Sequence, residues 1–150
     1  MSNFEPLMRR AITIAEQSLE SSDVPVGALV LNPAGEIVGE GMNLRERDND
    51  PTAHAEIVAM RAAALKGNSW RLDGHTLVVT LEPCAMCAGA ISQARIKTLV
   101  FGAWDAKAGA VGSVWEIPRD PRSIYQVEVF AGILADECGE LLRGFFKGKR

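Results

Sequence analysis

Helical and extended patterns alternate along this 150-residue sequence, and the alternation limits the chain to a small set of folds. Apolar runs of strand length cover residues 26–31, 37–40, 76–81, 98–103 and 125–131. Apolar residues at helical spacing predict helices over residues 4–20, 51–67, 83–94 and 134–146. Turn residues join the first two strands into a hairpin, and helices alternate with strands thereafter. We therefore predict an α/β fold whose sheet is covered by helices on both faces.

Two stretches lack both patterns. Residues 42–50 are polar and predict a loop, and residues 104–123 form a long connection that we interpret as a functional loop with room for one helical turn. No repeat, linker or low-complexity stretch interrupts the chain, and its length suits one hydrophobic core. We expect a single domain, residues 1–150.

Charge and cysteine content limit the partners and the compartment. The formal net charge is −3 and the pI is near 5.4, which argues against broad binding of phosphate but leaves room for a small basic patch. No apolar run reaches the roughly 18 residues of a membrane-spanning helix, and the first residues lack the order of a signal peptide. Three cysteines, an odd number, argue against a disulfide framework. We expect a soluble, cytoplasmic protein with no membrane partner.

Two short motifs carry metal and acid–base chemistry: His54-Ala55-Glu56 and Pro83-Cys84-Ala85-Met86-Cys87. Either motif alone is a weak signal, because C-x-x-C also occurs in redox proteins and in structural zinc sites. H-x-E followed by P-C-x-x-C is the signature of zinc-dependent deaminases of nucleobases. The two motifs together therefore predict a zinc-dependent hydrolytic deaminase.

This chemistry needs these residue types at this spacing. Cys84 and Cys87 are three residues apart, so a helix places both sulfurs on one face, and its N-terminal end favours thiolate. His54 completes a set of three ligands, which leaves one position of a tetrahedral zinc ion open for water, as in catalytic sites. Zinc lowers the pKa of that water to about 7. A carboxylate near the metal but not bound to it must move the protons, and Glu56 is the candidate.

The spacing of His54 and Glu56 sets a geometric condition. Residues two apart on an ideal helix point in nearly opposite directions. Both side chains can face one site only if they lie at the first turn, where the chain is entering the helix. Pro51-Thr52, immediately upstream, predicts that position.

Two other interpretations of the cysteine pair stay open. A redox C-x-x-C pair needs neither His54 nor Glu56. A closed structural zinc site, in a protein that is not an enzyme, needs a fourth ligand from His75 or Cys138. His75 follows the turn residues Asp73-Gly74 and is typical of a surface position. Cys138 lies on the apolar stripe of the last helix and is typical of core packing.

The sequence closely resembles the bacterial tRNA-specific adenosine deaminases, which convert the wobble adenosine of an anticodon to inosine. Outside the two motifs, the matching segments are Val24-Pro25-Val26-Gly27-Ala28, Asn43, Asp50-Pro51-Thr52-Ala53, Thr80-Leu81-Glu82, Ala88-Gly89-Ala90, Phe101-Gly102-Ala103, Asp105-Ala106-Lys107, Gly112-Ser113, Gly132-Ile133-Leu134 and Phe145-Phe146. The resemblance implies a three-layer α/β/α, cytidine-deaminase-like fold with a five-stranded mixed sheet. It also implies one Zn²⁺ per subunit, a homodimer, and the anticodon stem-loop of a tRNA as partner.

The resemblance further implies roles for individual residues. His54, Cys84 and Cys87 would bind zinc, and Glu56 would be the proton donor. The substrate-binding positions would be Val26, Asn43, Ala55, Arg71, Asp105 and Lys107. Asn43 would hydrogen-bond the flipped base, with Val26 against its ring. Arg71, Asp105 and Lys107 would lie along the anticodon loop. The spacing of these residues alone instead favours a loop-capping role for Asn43 and ordinary solvated charges for Arg71 and Lys107.

The chain departs from the family pattern in two places. Ile124-Tyr125-Gln126 stands where an Asn-His-Arg stretch that contributes to RNA binding is usual, and Trp104 stands where a polar or charged residue is common. These departures and the acidic composition leave a second substrate class open. In that alternative, the same fold and zinc chemistry deaminate a free base, guanine or cytosine.

Overall fold

The computed structural model describes residues 3–148. Within this range the elements follow the order α1 (Glu5–Gln17), β1 (Gly27–Leu31), β2 (Ile37–Met42), α2 (Arg45–Asp48), α3 (Ala55–Gly67), β3 (Thr76–Leu81), α4 (Ala85–Gln93), β4 (Thr98–Ala103), β5 (Glu128–Phe130) and α5 (Ala135–Lys147). One turn of 3₁₀ helix, Ser18–Glu20, extends α1. None of the helices in the described range has the length and apolarity needed to cross a membrane.

The strands form one mixed sheet in the order β2-β1-β3-β4-β5. β1 pairs antiparallel with β2 and with β3, whereas β3 with β4 and β4 with β5 are parallel. Every residue of β1 and of β4 is buried, which explains their continuous apolar sequences. The parallel pairing brings the carboxyl ends of β3 and β4 to the same edge of the sheet, so the segments that follow them are neighbours.

Apolar clusters on both faces of the sheet hold the layers together. One cluster contains Ala59 of α3 and Ile91 of α4, both fully buried. The other contains Met8 of α1 and Cys138 of α5. Burial of these apolar side chains supplies most of the driving force for folding. The predicted three-layer α/β/α architecture with a five-stranded mixed sheet is confirmed.

Close approach between β2 and α3 fixes the helix against the sheet. A Cβ atom at Gly39 would overlap the backbone carbonyl of Ala59, and one at Gly41 would overlap that of Ala55. The strand therefore presents bare backbone to the helix at two successive inward positions. This contact places the start of α3, and with it His54, at a defined height above the sheet.

The two helices that carry the motifs begin later than predicted. α3 begins at Ala55 and not at Pro51, because the Asp50 carboxylate accepts hydrogen bonds from the N–H (2.9 Å) and the hydroxyl (2.8 Å) of Thr52 and holds residues 51–52 in a turn. α4 begins at Ala85 and not at residue 83, because Cys84 has an extended backbone with ψ 178°. Both predicted starts were wrong by two to four residues.

The connections also differ from the prediction. Residues 42–50 are not all loop, since β2 extends to Met42 and α2 follows. The Asp23 carboxylate, which is fully buried, accepts the N–H groups of Glu46 and Arg47 and so stabilises the first turn of α2. β5 has three residues and not the seven of 125–131, and these three pair with residues 98–100 of β4. The connection 104–123 contains turns and no helical turn.

Candidate metal centre and active site

The two motifs meet where α3 and α4 begin. His54 immediately precedes α3 and has an extended backbone with ψ 155°, and Cys84 precedes α4 in the same way. Cys87 lies in the first turn of α4. Nδ1 of His54 is 3.5 Å from Sγ of Cys84 and 3.4 Å from Sγ of Cys87. All three donor atoms lie within 4.8 Å of one another, so they can bind one ion.

These separations fit a zinc ion. With zinc–sulfur bonds of about 2.3 Å and zinc–nitrogen bonds of about 2.0–2.1 Å, tetrahedral geometry separates the nitrogen from each sulfur by about 3.6 Å. The nitrogen–sulfur distances of 3.4 and 3.5 Å are close to that value. Sulfur and imidazole are also the ligands that zinc prefers.

The protonation of the donor set agrees with metal binding. A hydrogen bond from the Cys87 thiol, aided by one from His54, lowers the pKa of Cys84 to about 3 against the opposing effect of burial. The hydrogen bond to Cys84, together with burial, raises the pKa of Cys87. At neutral pH Cys84 is thus a thiolate, while Cys87 keeps its proton. A divalent cation displaces such a proton when it binds.

Neither candidate for a fourth ligand lies at this site. Among the residues that the structure describes, His54, Cys84 and Cys87 form the one group of histidine, cysteine or acidic side chains close enough to hold an ion. His75 precedes β3, about 20 Å along that strand from the cysteines, and its Nδ1 contacts the Asp73 carbonyl oxygen at 2.9 Å. Cys138 belongs to the cluster on the opposite face of the sheet, where burial raises its pKa to about 11. A closed structural site therefore has no fourth protein ligand within residues 3–148.

Glu56 lies beside the ligand set but is not a member of it. It is the second residue of α3 and is 4% exposed. Because His54 lies just outside the helix, the two side chains face one cavity, as the geometric condition requires. Burial raises the pKa of Glu56 to about 7. A carboxyl group with such a pKa can both accept and release a proton near neutral pH.

A cavity of about 570 Å³ extends from these residues to the surface. Its lining includes five of the six predicted substrate-binding positions: Val26, Asn43, Ala55, Asp105 and Lys107. Glu56 lies at its buried end. Trp104 and Phe146, which are 53% and 55% exposed, lie at its mouth.

Asn43 both closes a loop and lines the cavity. Its Nδ2 donates to the carbonyl oxygen of Val24 (3.2 Å), and its Oδ1 accepts from the N–H of Arg45 (3.2 Å). A side-chain amide has two N–H groups and two acceptor positions, so one of each is left over. The loop-capping interpretation and the substrate-binding one are therefore compatible.

The remaining predicted positions lie in two different places. Oδ1 of Asp105 accepts the N–H groups of Lys107 (3.0 Å) and Ala108 (3.1 Å), so this side chain shapes a turn at the cavity wall. Arg71 does not line the cavity. It precedes β3, at the far end of that strand from Cys84, where it pairs with Asp73 at 3.2 Å. Its contact with RNA stays a prediction.

Sequence patterns gave no functional role to three cavity residues. Arg45 lies with its Nη1 3.1 Å from Nε2 of His54, and Trp104 packs edge-on against Phe101 with ring centroids 4.8 Å apart. Glu82 is 2% exposed at the end of β3. The signal for Glu82 was its position between a continuous apolar strand and the proline of the cysteine motif. Arg45 lies in a polar segment and has no comparable signal.

The electrostatics of Glu82 are unusual for a buried carboxylate. Burial acts to raise the pKa of Glu82, but hydrogen bonds from Ser113 and from the N–H groups of Asp105 and Val111 outweigh it and lower that pKa. Glu82 is therefore ionised at neutral pH although it is almost fully enclosed.

The residues that depart from the family pattern near strand β5 do not line the cavity. Ile124 is 75% exposed, and the ring of Tyr125 lies under the guanidinium group of Arg95. The Gln126 amide donates to the carbonyl oxygen of Asp120 at 3.0 Å. This stretch shapes the turn before β5.

Comparison with known proteins gives the class and then the family. Residues 1–103 match the family described as the cytidine and deoxycytidylate deaminase zinc-binding region, so fold and site define a hydrolytic deaminase whose cofactor is zinc. The tRNA-specific adenosine deaminase of Haemophilus influenzae is 47% identical over 146 residues, which are 97% of this chain and 84% of that protein. The chain belongs to the tRNA-specific adenosine deaminases within this larger deaminase family.

Two solved structures support the same relationship. A tRNA:A34 deaminase, studied for A-to-I editing at the wobble position of transfer RNA, is 40% identical with a TM-score of 0.86, over 90% of this chain and 97% of its own. The guanine deaminase of Nitrosomonas europaea is 27% identical with a TM-score of 0.80, over 97% of this chain and 85% of its own. The free-base enzyme shares the fold but is less similar in sequence.

The ligand set predicts which cysteines control the zinc content. Cys84→Ala and Cys87→Ala should each lose most of the zinc, because two ligands remain. Cys138→Ala is the matched control and should keep one zinc per chain, because Cys138 lies on the other face of the sheet. Elemental analysis of the three variants, purified in parallel, measures the ratio. Full zinc in both Cys84→Ala and Cys87→Ala, or loss of zinc in Cys138→Ala, would contradict this assignment.

Proposed function

We propose that the protein deaminates adenosine at the wobble position of a tRNA anticodon and releases ammonia. Zinc would be held by His54, Cys84 and Cys87, and the protein would act in the cytoplasm as a single domain, residues 1–150. The observation that carries the proposal is the buried carboxylate of Glu56 beside this ligand set, at the inner end of a cavity that opens to the surface. The similarity to tRNA-specific adenosine deaminases supports the choice of substrate.

The reaction requires two proton transfers, and Glu56 is placed for both. When bound, zinc lowers the pKa of a water molecule to about 7 and so makes water a nucleophile at neutral pH. Glu56 accepts the first proton of the water as its oxygen adds to C6 of adenine, and delivers this proton to N1. Glu56 then moves the second proton to the exocyclic amine, the C6–N bond breaks, and ammonia leaves. Adenosine and water thus give inosine and ammonia.

The cavity wall would hold the flipped base. The free N–H and the free acceptor position of Asn43 can hydrogen-bond the edge of a purine. Val26, which is 7% exposed, offers an apolar surface to the ring, and the small side chain of Ala55 leaves room beside Glu56. These contacts orient C6 toward the ligand set.

The mouth of the cavity suits a nucleic acid better than a free base. Arg45 and Lys107 can meet phosphate groups, and the exposed rings of Trp104 and Phe146 can stack on neighbouring bases. An enzyme that flips a base out of its stack needs such contacts to offset the unstacking, and a single-stranded loop makes flipping easiest. Two basic residues form only a local patch, which is compatible with the net charge of −3.

We also propose that the protein is a homodimer. The apolar segment 108–114 supports this less than its sequence suggests, because residues 109–111 are buried within the subunit. The stronger support is a group of exposed apolar side chains at the end of this segment and next to it: Val114 (46%) and Trp115 (60%), with Met86 (38%) in α4. The bridge between Cys84 and Gly109 brings the start of α4 next to this loop. Exposed apolar groups of this kind are typical of interfaces.

Sedimentation equilibrium tests the dimer. The zinc-loaded protein should sediment with twice the 16.2 kDa of one chain, and Trp115→Glu should shift it toward monomer because a charge would be buried. Leu65→Glu is the matched control, since Leu65 is 83% exposed on α3, and it should leave the mass unchanged. A stable, active wild-type monomer at micromolar concentration rules out the proposal.

Proton transfer can be separated from metal binding. Glu56→Gln should keep its fold and its zinc, yet lower kcat by about 10²–10⁴-fold, because an amide cannot shuttle the protons. Glu140→Gln, an exposed position on α5, is the control and should match the wild type. Zinc content, circular dichroism and single-turnover kinetics are measured together. Substantial turnover by Glu56→Gln would mean that another residue moves the protons.

The substrate assay tests the proposed function directly. An anticodon stem-loop with wobble adenosine should be deaminated, while free adenine, adenosine, cytosine and guanine should be poor substrates. The same stem-loop with the adenosine moved into its paired stem should also be poor, because a stacked and paired base is harder to flip. Products are quantified by mass spectrometry at equal enzyme concentration. Efficient turnover of a free base with no reaction on the stem-loop would assign the protein to the free-base deaminases instead.

One matched pair of variants extends this assay to the cavity mouth. Lys107→Ala should weaken processing of the stem-loop without loss of zinc, because a phosphate contact is removed. Lys66→Ala, on the exposed face of α3, should have no effect. Salt should inhibit the wild type more steeply than Lys107→Ala.

A further inference from the structure

Glu82 is a buried carboxylate that the proposed mechanism does not use. It lies between the end of β3 and the cysteine motif and is 2% exposed. Within residues 3–148 no basic side chain forms an ion pair with it; its partners are hydrogen-bond donors of the chain. A buried charge without a counter-ion is stable only when donors satisfy its oxygens.

All four of its donors come from one segment, residues 104–114, which we call the cavity loop. Oε1 accepts the N–H of Asp105 (2.9 Å) and the hydroxyl of Ser113. Oε2 accepts the N–H of Val111 (2.9 Å) and the N–H of Ser113 (3.1 Å). The carboxylate therefore fixes both ends of the cavity loop.

The backbone around Glu82 reinforces this attachment. The N–H of Ala110 donates to the carbonyl oxygen of Pro83 (2.8 Å), and Gly109 forms an isolated bridge with Cys84. A Cβ atom at Gly109 would overlap the carboxylate of Glu82. Glycine at this position is what allows the loop to lie directly on that carboxylate.

The part of the loop between the fixed points faces the substrate cavity. Residues 104–108 all line it, including Trp104 and Lys107 at its mouth. The N–H groups of residues 107 and 108 are held by Asp105, whose own N–H is held by Glu82. A hydrogen-bonded chain thus leads from the buried carboxylate to the cavity wall.

We infer that Glu82 is a positioning residue, whose carboxylate holds the cavity loop in the shape that binds the substrate. Its oxygens are occupied by four donors of the loop, so they are not available to the reacting base. This inference rests on the proposed function, because it states how part of the same site is kept in place. Loss of the carboxylate should loosen the wall that carries Trp104 and Lys107 while the zinc ligands keep their places.

Steady-state kinetics with the stem-loop distinguish positioning from chemistry. Glu82→Gln should raise KM by about tenfold or more, with kcat within a few-fold of the wild type and one zinc per chain, because an NH₂ group then faces backbone donors. Glu56→Gln should show the opposite pattern, a large fall in kcat with little change in KM. A fall in kcat alone for Glu82→Gln, or loss of its zinc, would overturn the inference.

Three further variants keep the test informative if Glu82→Gln folds poorly. Ser113→Ala removes one donor of four and should raise KM by a smaller factor. Gly109→Ala should raise KM although the carboxylate is intact, because its Cβ displaces the loop. Gly144→Ala on α5, where a Cβ meets nothing within 4 Å, is its matched control and should match the wild type. Unchanged KM in both Ser113→Ala and Gly109→Ala would count against the inference.

Hydrogen exchange tests the loop without any substrate. The amide hydrogens of Asp105, Val111 and Ser113 should be protected in the zinc-loaded wild type and exchange about tenfold faster or more in Glu82→Gln. The amides of β3 should be unchanged. If the stem-loop is not a substrate but this exchange pattern is found, the proposed function fails and the positioning role stands. Equal exchange in both proteins would refute the positioning role whatever the substrate.

Discussion

The site depends on the convergence of two helix N-terminal ends. α3 and α4 each begin just after a residue with extended backbone, and each of those residues carries a metal ligand, His54 or Cys84. The N–H groups of a first helical turn have no partner within the helix and favour negative charge. The sulfur of Cys84 and the carboxylate of Glu56 therefore lie where backbone N–H groups favour negative charge, and for Glu56 this opposes the larger effect of burial. The close contact of α3 with β2 and the parallel pairing of β3 with β4 hold these two ends together.

The strands were predictable where burial on both faces left a continuous apolar sequence, as in β1, β3 and β4. The helix starts and the short α2 were not. Asp50 holds the residues before α3 in a turn, and Asp23, more than twenty residues away along the chain, stabilises the first turn of α2. Side-chain hydrogen bonds of this kind compete with local helical preference and leave no periodic pattern in the sequence.

The residues of the candidate site could be found in the sequence because zinc chemistry allows few residue types and few spacings. The structure places the donor atoms of His54, Cys84 and Cys87 within 4.8 Å of one another, and Glu56 lines the same cavity as His54 and Cys84. Glu82 could not be assigned in this way, since its partners lie more than twenty residues further along the chain. A single charged residue in a sequence does not show whether it faces water or backbone amides. That distinction becomes visible only when the loop is folded over it.

The cavity loop combines a backbone that is held in place with side chains that are free to vary. The carboxylate of Glu82 holds its backbone near both ends, whereas the side chains of Ala106, Lys107 and Ala108 are exposed between them. Substitutions at these three positions should alter the outline of the cavity, because all three line it, without touching the metal ligands. A lineage with this architecture can therefore change which nucleotides surround its target by drift in a short segment. The same property makes residues 106–108 a natural place to begin the directed evolution of new sequence preferences.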